Sequence, residues 1–299
     1  MQPQLYGQMT AHAIGILMKE ITRRAMESVW QNRARFEAEE KSTDYKLGQD
    51  FVTTADYAAQ VIYEKSLREC FPTFGIIGEE NSLQIACTEP GVDAWFTVDP
   101  LDGTKAFIRR QSHGVGSMLG LVYDGVVIAA VVGDVMTHEM YYYRPESTQV
   151  HRLNLRDDKY ESLRIDHKLS LGSQYVLLRD DPRIHSPGIQ QIAQRKADGG
   201  LFKNIEVAGG SIGTHMARLW KGEVGGVILQ AGKQTPWDLV PVLGISQQLG
   251  FVWIEIYSSP GGWVTQSINP SKEITSTEGE MLIIHKSRVC EFSEWFSRQ

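Results

Sequence analysis

The chain has few cysteines and no long apolar run. Its three cysteines, Cys70, Cys87 and Cys290, lie far apart and form no CxxC pair, which argues against a disulfide framework or a zinc site. We therefore predict three reduced thiols in the core. The longest uninterrupted apolar run, residues 126–132, is far shorter than the ~20 residues that a membrane helix requires, so no membrane partner is expected.

The chain also lacks an excess of positive charge. It carries 30 Lys and Arg against 36 Asp and Glu, a net charge of −6 at pH 7. Binding along a polyphosphate backbone requires a basic surface, so no nucleic acid partner is expected. The first twenty residues contain neither a basic segment nor a small-residue cleavage pattern, which predicts no export signal and a cytoplasmic location.

Length and composition are those of an ordinary globular protein. At the usual ~150 residues per domain, 299 residues predict about two domains with enough sequence to bury a core. Apolar residues make up 42% and charged residues 22%, which excludes the disordered and fibrous classes.

The first half predicts helices followed by a sheet. Apolar residues spaced three and four apart predict one long helix from residue 8 to about residue 40 and a second at residues 54–70. Strand-like apolar segments follow, with a hairpin signal at Asp124-Gly125, so this sheet should be mostly antiparallel. The strand-like segments are residues 74–77, 94–98, 116–123, 126–132 and 140–143.

The second half alternates strands and helices after a polar stretch at residues 144–168, the best candidate for a domain boundary. This alternation favours an α/β (α+β) fold class with an N-terminal domain, 1–155, and a C-terminal domain, 156–299. The predicted strands are 175–178, 205–208, 225–229, 250–256 and 281–285, and the predicted helices are 188–197, 211–220, 238–249 and 289–296.

The hexapeptide DPLDGT at residues 99–104 is the sharpest motif. Asp99 and Asp102 follow a strand, and the intervening proline and the next glycine can bend the chain so that both carboxylates reach one point. Such carboxylates repel each other unless a hard cation such as Mg²⁺ lies between them. Gly103 and Thr104 would then open a helix whose free N–H groups hold a phosphate. The alternative is an Asx turn with Asp102 as an N-cap.

Three other motifs have an ordinary structural role when each is taken alone. GEE at residues 78–80 ends a strand and is typical of a solvated loop. TPWD at residues 235–238 precedes a helical pattern in which Asp238 would be the N-cap and Pro241 would fall in the first turn. DFVTTAD at residues 50–56 would cap the second helix.

Together the motifs GxDxVTxxD, GEE, DPLDGT and WD, in this order, resemble those of the lithium-sensitive, magnesium-dependent phosphomonoesterases of the inositol monophosphatase superfamily. The resemblance covers nearly the whole chain, and DPLDGT and WD are its most specific motifs. It implies a layered αβαβα sandwich of the inositol monophosphatase and fructose-1,6-bisphosphatase type, with a metal cleft between the two halves. It also implies a homodimer.

The resemblance further implies a set of metal ligands. Glu79 would bind metal and help to position the attacking water, Asp99 would bridge two metals, and the main-chain carbonyl of Leu101 would complete the first site. Asp102 and Asp238 would hold the second metal. Because these carboxylates and a phosphate monoester repel one another, two or three Mg²⁺ ions are expected in each active site.

The resemblance assigns the catalytic water to Thr104 and Asp56, which are similar to the pair that orients and activates it. It also implies that Gly213, Thr214 and His215, in the GGSIGTH stretch at residues 209–215, contact the alcohol portion of the substrate. His215 replaces the alanine that is usual in this family. A glycine-rich turn capped by a serine is the structural alternative.

Two further positions bear on the substrate. Gln230 stands where inositol-specific members usually have glutamate, so an anionic acceptor of sugar hydroxyls is absent. Lys105, followed by Arg109 and Arg110, is similar to members that hydrolyse 3′-phosphoadenosine 5′-phosphate, and histidinol phosphate phosphatases share a similar stretch. The three cations are equally compatible with a solvated helix face.

The implied function is Mg²⁺-dependent hydrolysis of a small phosphorylated alcohol by water, with inositol monophosphate or a similar polyol phosphate first. A 3′(2′),5′-bisphosphate nucleotidase and a histidinol-phosphatase are the alternatives within this class. A non-catalytic metabolite-binding or regulatory protein on the same fold is the alternative from another class. Such a protein would be expected to lack at least one metal ligand, whereas this sequence retains them all.

Overall fold

The computed structural model describes residues 9–41, 50–257 and 262–298. Gln8 of the predicted first helix and Gly48 of the GxDxVTxxD motif lie outside these ranges. The described helices are α1 (Ala11–Asn32), α2 (Thr54–Cys70), α3 (Thr104–Ile108), α4 (Pro187–Ile192), α5 (Ile212–Trp220), α6 (Pro236–Leu249) and α7 (Val289–Phe296).

The described strands fall into two large sheets and two small ones. They are β1 (Ala38–Lys41), β2 (Asp50–Thr53), β3 (Gly75–Gly78), β4 (Gln84–Ile85), β5 (Ala94–Asp102), β6 (Gly116–Tyr123), β7 (Val126–Asp134), β8 (Glu139–Tyr143), β9 (His151–Asn154), β10 (Lys159–Ser162), β11 (Tyr175–Leu178), β12 (Asn204–Val207), β13 (Gly226–Leu229), β14 (Gly232–Gln234), β15 (Phe251–Tyr257), β16 (Gly262–Gln266), β17 (Thr275–Thr277) and β18 (Glu280–His285).

The first large sheet has eight strands in the order β10-β9-β8-β7-β6-β5-β3-β4. Its neighbouring strands are antiparallel except for the parallel β3–β5 pair, which confirms the mostly antiparallel prediction. The helices α1 and α2 cover its outer face, because their apolar stripes, represented by Ile14, Met18 and Tyr63, join one buried cluster with Phe96 and Leu121 of the sheet.

The second large sheet has six strands in the order β12-β11-β13-β18-β15-β16, with β11 parallel to both β12 and β13. Successive residues of a strand point to opposite faces, and β11 shows this directly. Leu177 joins the apolar cluster that includes α5 and α6, whereas Val176 and Leu178 join the cluster that includes α4 and α7.

The layers follow from these clusters. Side chains of α5 and α6 share one cluster with residues of both large sheets, so these two helices form the middle layer. The order is α1 and α2, first sheet, α5 and α6, second sheet, α4 and α7. The predicted αβαβα sandwich is therefore confirmed.

The long N-terminal helix is predicted wrongly at its end. The helix α1 ends at Asn32, and residues 38–41 form β1, which pairs antiparallel with β2. The apolar stripe of the sequence stops at Val29, and the charged segment after it gains hydrogen bonds from β2, a pairing that local spacing cannot reveal.

Three smaller expectations also differ from the structure. Pro241 lies beyond the first turn of α6, because this helix starts at Pro236. Cys290 is exposed and Cys70 and Cys87 are partly buried, so the prediction of core thiols is wrong, although all three are free. The predicted helix at residues 188–197 is shorter, since α4 covers Pro187–Ile192.

The chain passes from the first sheet to the second between β10 and β11, because β10 pairs with β9 at the edge of the first sheet. The division after residue 155 stays a prediction. Across the described ranges, none of the helices combines the length and apolar character needed to cross a bilayer.

The middle layer offers a test of the layer order. Trp220 on α5 is fully buried, and its Nε1 donates to Ser246 Oγ on α6 over 3.1 Å. We expect Trp220→Ala to lower the free energy of unfolding by roughly 3–5 kcal/mol, because it opens a cavity between the sheets. Tyr160→Ala, at a side chain that is 72% exposed, should change it by less than ~0.5 kcal/mol. Equal urea midpoints of the two variants by circular dichroism would contradict this.

Candidate active site

A bulge in β5 places Asp99 and Asp102 together. Asp99 is opposite Met118 and Asp102 is opposite Gly116, so β5 advances three residues while β6 advances two. Residues three apart on a regular strand point to opposite faces, and the extra residue corrects this. The strand therefore continues through the DPLD segment, which the sequence predicts as a turn after the strand end.

Gly103 directly follows this strand, has a φ of 91° and is the N-cap of the short helix α3. A Cβ atom at this position would lie 2.2 Å from the carbonyl oxygen of Gly114, so the site requires glycine for space as well as for conformation. The predicted helix start at Gly103 and Thr104 is present, and Asp102 is not its N-cap.

Asp238 reaches the same point from α6. Thr235 is the N-cap of this helix, and its hydroxyl donates to Asp238 Oδ2 over 2.6 Å, so the prediction of Asp238 as the N-cap is wrong. Asp99, Asp102 and Asp238 each offer a carboxylate oxygen, and these three oxygens lie within 4.8 Å of one another. Asp99 and Asp102 are 1% and 5% exposed.

Asp102 also joins the two halves of the fold. Its carboxylate accepts hydrogen bonds from the Gly213 N–H over 2.8 Å, from the Ile212 N–H over 3.2 Å and from the Ser211 hydroxyl, all at the start of α5. Burial, with the charge of Asp238 as a second cause, nevertheless raises the pKa of Asp102 to about 6. Three carboxylates this close are unfavourable without a cation, and an oxygen-only donor set fits Mg²⁺ or Ca²⁺.

Thr104 and Asp56 form a second polar pair beside this cluster. The Thr104 Oγ1 atom lies 3.3 Å from Asp56 Oδ1 and 3.2 Å from the carbonyl oxygen of Leu101. The other oxygen of Asp56 accepts from the N–H of Thr53 over 2.8 Å and from its hydroxyl, which completes a capping box at α2. Burial raises the pKa of Asp56 to about 6.

Glu79 lies at the same end of the first sheet as Asp99. Gly78 is opposite Val98 in the parallel β3–β5 pair, and the Glu79 N–H donates to the carbonyl oxygen of Val98 over 3.1 Å. Its carboxylate is not among the three clustered ones of the described chain. Instead it accepts from Lys41 Nζ over 3.0 Å.

Lys41 is a residue of this region that the sequence analysis missed. Its Nζ also lies 2.9 Å from a carboxylate oxygen of Glu80 and 3.8 Å from one of Asp50. Burial, and then the charge of Glu79, raises the pKa of Glu80 to about 7. Lys41 lies just beyond the segment predicted as helix, so no local signal connected it to GEE. The β1–β2 pairing brings it there.

The comparisons with known proteins agree with the motifs. The model of the inositol monophosphatase family matches residues 8–279 of the chain. The chain belongs to this family. Its fold also resembles that of the solved Thermotoga maritima IMPase, with a TM-score of 0.67 and 20% identity over 93% of this chain and 94% of that one.

Individual relatives match over shorter segments. The Nus factor SuhB of Salmonella typhimurium is 33% identical over 112 residues, which is 37% of this chain and 40% of the relative. The inositol-1-monophosphatase of Rhizobium meliloti is 38% identical over 92 residues, which is 31% of this chain and 33% of the relative. The matches thus span less than half the length of either relative.

His215 is buried at 3% exposure. Its two ring nitrogens lie against the carbonyl oxygens of Ser211 and Ala208. Burial is the largest cause that lowers the pKa of His215 to about 4, and the two carbonyls oppose it. The lowered pKa favours the neutral ring at pH 7, whose single N–H can donate to one of the two carbonyls, and the ring packs against the loop before α5. Contact with a substrate stays a prediction.

The other residues predicted to contact the substrate lie on α5, on α3 and directly after β13. Gly213 and Thr214 occupy the first turn of α5, where the Thr214 N–H donates to Ser211 Oγ over 2.9 Å. Gln230 is exposed directly after β13, and Lys105 is exposed on α3. Arg109 and Arg110 are exposed as well, as on a solvated helix face.

Burial of His215 predicts how the free energy of unfolding depends on pH. Its proton is bound by the unfolded chain below about pH 6.5 but by the folded chain only below about pH 4, so the contribution of His215 to stability should fall as the pH is lowered through this window. The carboxyls of Asp56, Asp102 and Glu80, whose pKa values are raised, contribute in the opposite direction. We expect His215→Gln to remove part of that loss, up to ~1.4 kcal/mol per pH unit. Urea unfolding at pH 7.0 to 4.5 measures it, with His113→Gln, at an exposed histidine, as the control. The prediction would be contradicted if the free energy of unfolding changed with pH in the same way for the wild type, His215→Gln and His113→Gln.

Proposed function

We propose that this protein is a Mg²⁺-dependent phosphomonoesterase that hydrolyses a small phosphorylated alcohol with water as the nucleophile. The cluster of Asp99, Asp102 and Asp238, beside the Thr104–Asp56 pair, is the observation that carries the proposal. The carboxylate cluster offers a site for cations that bind the substrate phosphate, and the Thr104–Asp56 pair offers a group that can direct a water molecule.

The proposed metal ligands are the carboxylates of Asp99, Asp102 and Asp238, the carbonyl oxygen of Leu101, and Glu79. Two or three Mg²⁺ ions bound there would lower the pKa of the attacking water, fix the phosphate and neutralise charge on the leaving oxygen. The orientation of the ligands supports the assignment. The donors around Asp102 and the Thr235 hydroxyl on Asp238 hold two of the carboxylates in place.

Thr104 and Asp56 are the proposed groups that direct the water. A hydroxyl has one proton, and Thr104 Oγ1 can donate it to Asp56 Oδ1 and use its lone pairs to accept a hydrogen bond from water. Asp56 is held by Thr53 on its other oxygen, so Oδ1 stays directed at Thr104. Asp56 is thus placed to take up the proton that Thr104 passes on from the water.

For the substrate, we propose inositol monophosphate or a similar polyol phosphate first, supported by the inositol-1-monophosphatase among the relatives. The bisphosphate nucleotidase and histidinol-phosphatase alternatives stay within the same reaction class. The proposal includes the expected cytoplasmic location and the expected homodimer. Size-exclusion chromatography with light scattering measures the molar mass and so tests the homodimer.

A regulatory role is the second candidate, because one relative is named as a Nus factor. It predicts binding of Mg²⁺ or a phosphorylated metabolite without turnover. Calorimetry combined with a phosphate-release assay on the same sample separates the two candidates.

The metal cluster is tested by Asp99→Asn, which removes one of the three clustered carboxylates. We expect phosphate release from inositol 1-phosphate to require Mg²⁺, to be inhibited by Li⁺ and to fall at least ~100-fold in this variant. Glu69→Gln, at an exposed residue near the end of α2, is the control and should retain wild-type activity. Mg²⁺-independent activity, or equal activity of both variants, would falsify the proposal.

The role of Thr104 is tested by comparing Thr104→Ala with Thr104→Ser. Loss of the hydroxyl should lower kcat by roughly 100-fold, because general acid–base groups typically contribute this much or more. The serine variant keeps the Oγ atom and should recover most of the activity. Calorimetric Mg²⁺ affinity should be similar in both. If serine does not restore kcat, the hydroxyl is not the group that directs the water.

A further inference from the structure

The topology of the second sheet brings three chain segments to one edge. Strands β12, β11 and β13 are neighbours and run parallel, so their carboxyl ends meet there. Arg179 directly follows β11, Gly209 and Gly210 follow β12, and Gln230 follows β13. The crevice outside the carboxyl ends of parallel strands is where α/β sheets bind ligands.

Arg179 is fixed at this edge by a backbone contact. Its Nη2 donates to the carbonyl oxygen of Gly210 over 2.7 Å, and the residue is half-buried. This bond uses one of the five N–H donors of the guanidinium. The nearby Asp181 accepts from Arg183 Nε, whose one N–H is shared between both carboxylate oxygens, and from Arg183 Nη2, so this carboxylate is paired with another arginine.

The position of Arg179 relative to the metal cluster follows from the same loop. Gly210 immediately precedes Ser211, whose hydroxyl donates to Asp102. Arg179 is therefore connected to the Asp102 carboxylate through two hydrogen bonds and the peptide bond between Gly210 and Ser211. A phosphate held at the cluster would therefore have this cation beside it, on the side of the glycine loop.

We propose that Arg179 is a specificity-determining residue that binds a second anionic group, a carboxylate or a phosphate, on the alcohol portion of the substrate. The inference rests on the proposed function and narrows its substrate class. The planar guanidinium fork matches both anions, and Gln230 at the same edge adds an uncharged donor and acceptor. A cationic alcohol such as histidinol would be repelled.

The test uses substrate pairs that differ in one anion. Glycerol 2-phosphate and 2-phosphoglycerate share a carbon skeleton and differ by a carboxylate. Adenosine 3′-monophosphate and adenosine 3′,5′-bisphosphate differ by a phosphate that is not the one released. At matched free Mg²⁺ we expect kcat/KM for the more anionic member of at least one pair to be about tenfold higher. The pair that responds identifies the anion.

Variants of Arg179 test whether this residue causes the preference for the more anionic substrate. Arg179→Gln should reduce the ratio of kcat/KM within the responding pair to about one, mainly through KM, and Arg179→Lys should keep part of it. Arg68→Gln, at a side chain on α2 that is 64% exposed, is the matched control and should keep the wild-type ratio. A purely structural role in holding Gly210 would lower both members equally and leave the ratio unchanged.

The outcomes separate this inference from the proposed function. Hydrolysis without a preference for the anionic member, or a preference that survives in Arg179→Gln, overturns the role of Arg179 and leaves the phosphatase proposal intact. Failure of the wild-type protein to hydrolyse any of the four compounds or inositol 1-phosphate with Mg²⁺ overturns both.

Discussion

Mutual repulsion among buried carboxylates is the constraint on which the rest of this structure depends. Asp99, Asp102 and Asp238 offer oxygens within 4.8 Å of one another, and two of these residues are nearly inaccessible to water. Such a group is stable only if donors and cations compensate its charge. The donors are the groups at the start of α5 and the Thr235 hydroxyl. The negative charge that these donors leave uncompensated makes the cluster a candidate metal site.

The layered fold meets this constraint by bringing the ends of two sheets together. In the first sheet the parallel β3–β5 pair ends at Glu79 and Asp99, and in the second the parallel strands end at Arg179, Gly210 and Gln230. The contact between Asp102 and the start of α5 joins the two ends across about 110 residues of sequence. One region therefore holds acidic groups suited to cations and, beside them, a cation suited to an anionic substrate.

Residues that cap helices also contact the candidate site here. Asp56 completes a capping box with Thr53 through one carboxylate oxygen and contacts Thr104 through the other. Ser211 caps α5, since its Oγ accepts from the Thr214 N–H, and the same hydroxyl donates to Asp102. A helix N-terminus fixes side-chain oxygens in a defined orientation, and that rigidity is what a reaction with an oriented water molecule requires.

The sequence by itself determined the family, the order of most elements and the meeting of Asp238 with Asp99 and Asp102, because these depend on local periodicity and on a set of motifs that is specific when taken together. It predicted the helix at Val289–Phe296 and the strands at Gly116–Tyr123 and Tyr175–Leu178 with their observed bounds. Only the tertiary structure decided that residues 38–41 form a strand, that Lys41 meets Glu79, that Asp102 accepts from the start of α5 and that Arg179 reaches the glycine loop. Each of these contacts joins segments that have no fixed spacing in the chain, and their partners are set by how sheets and helices pack rather than by local propensity.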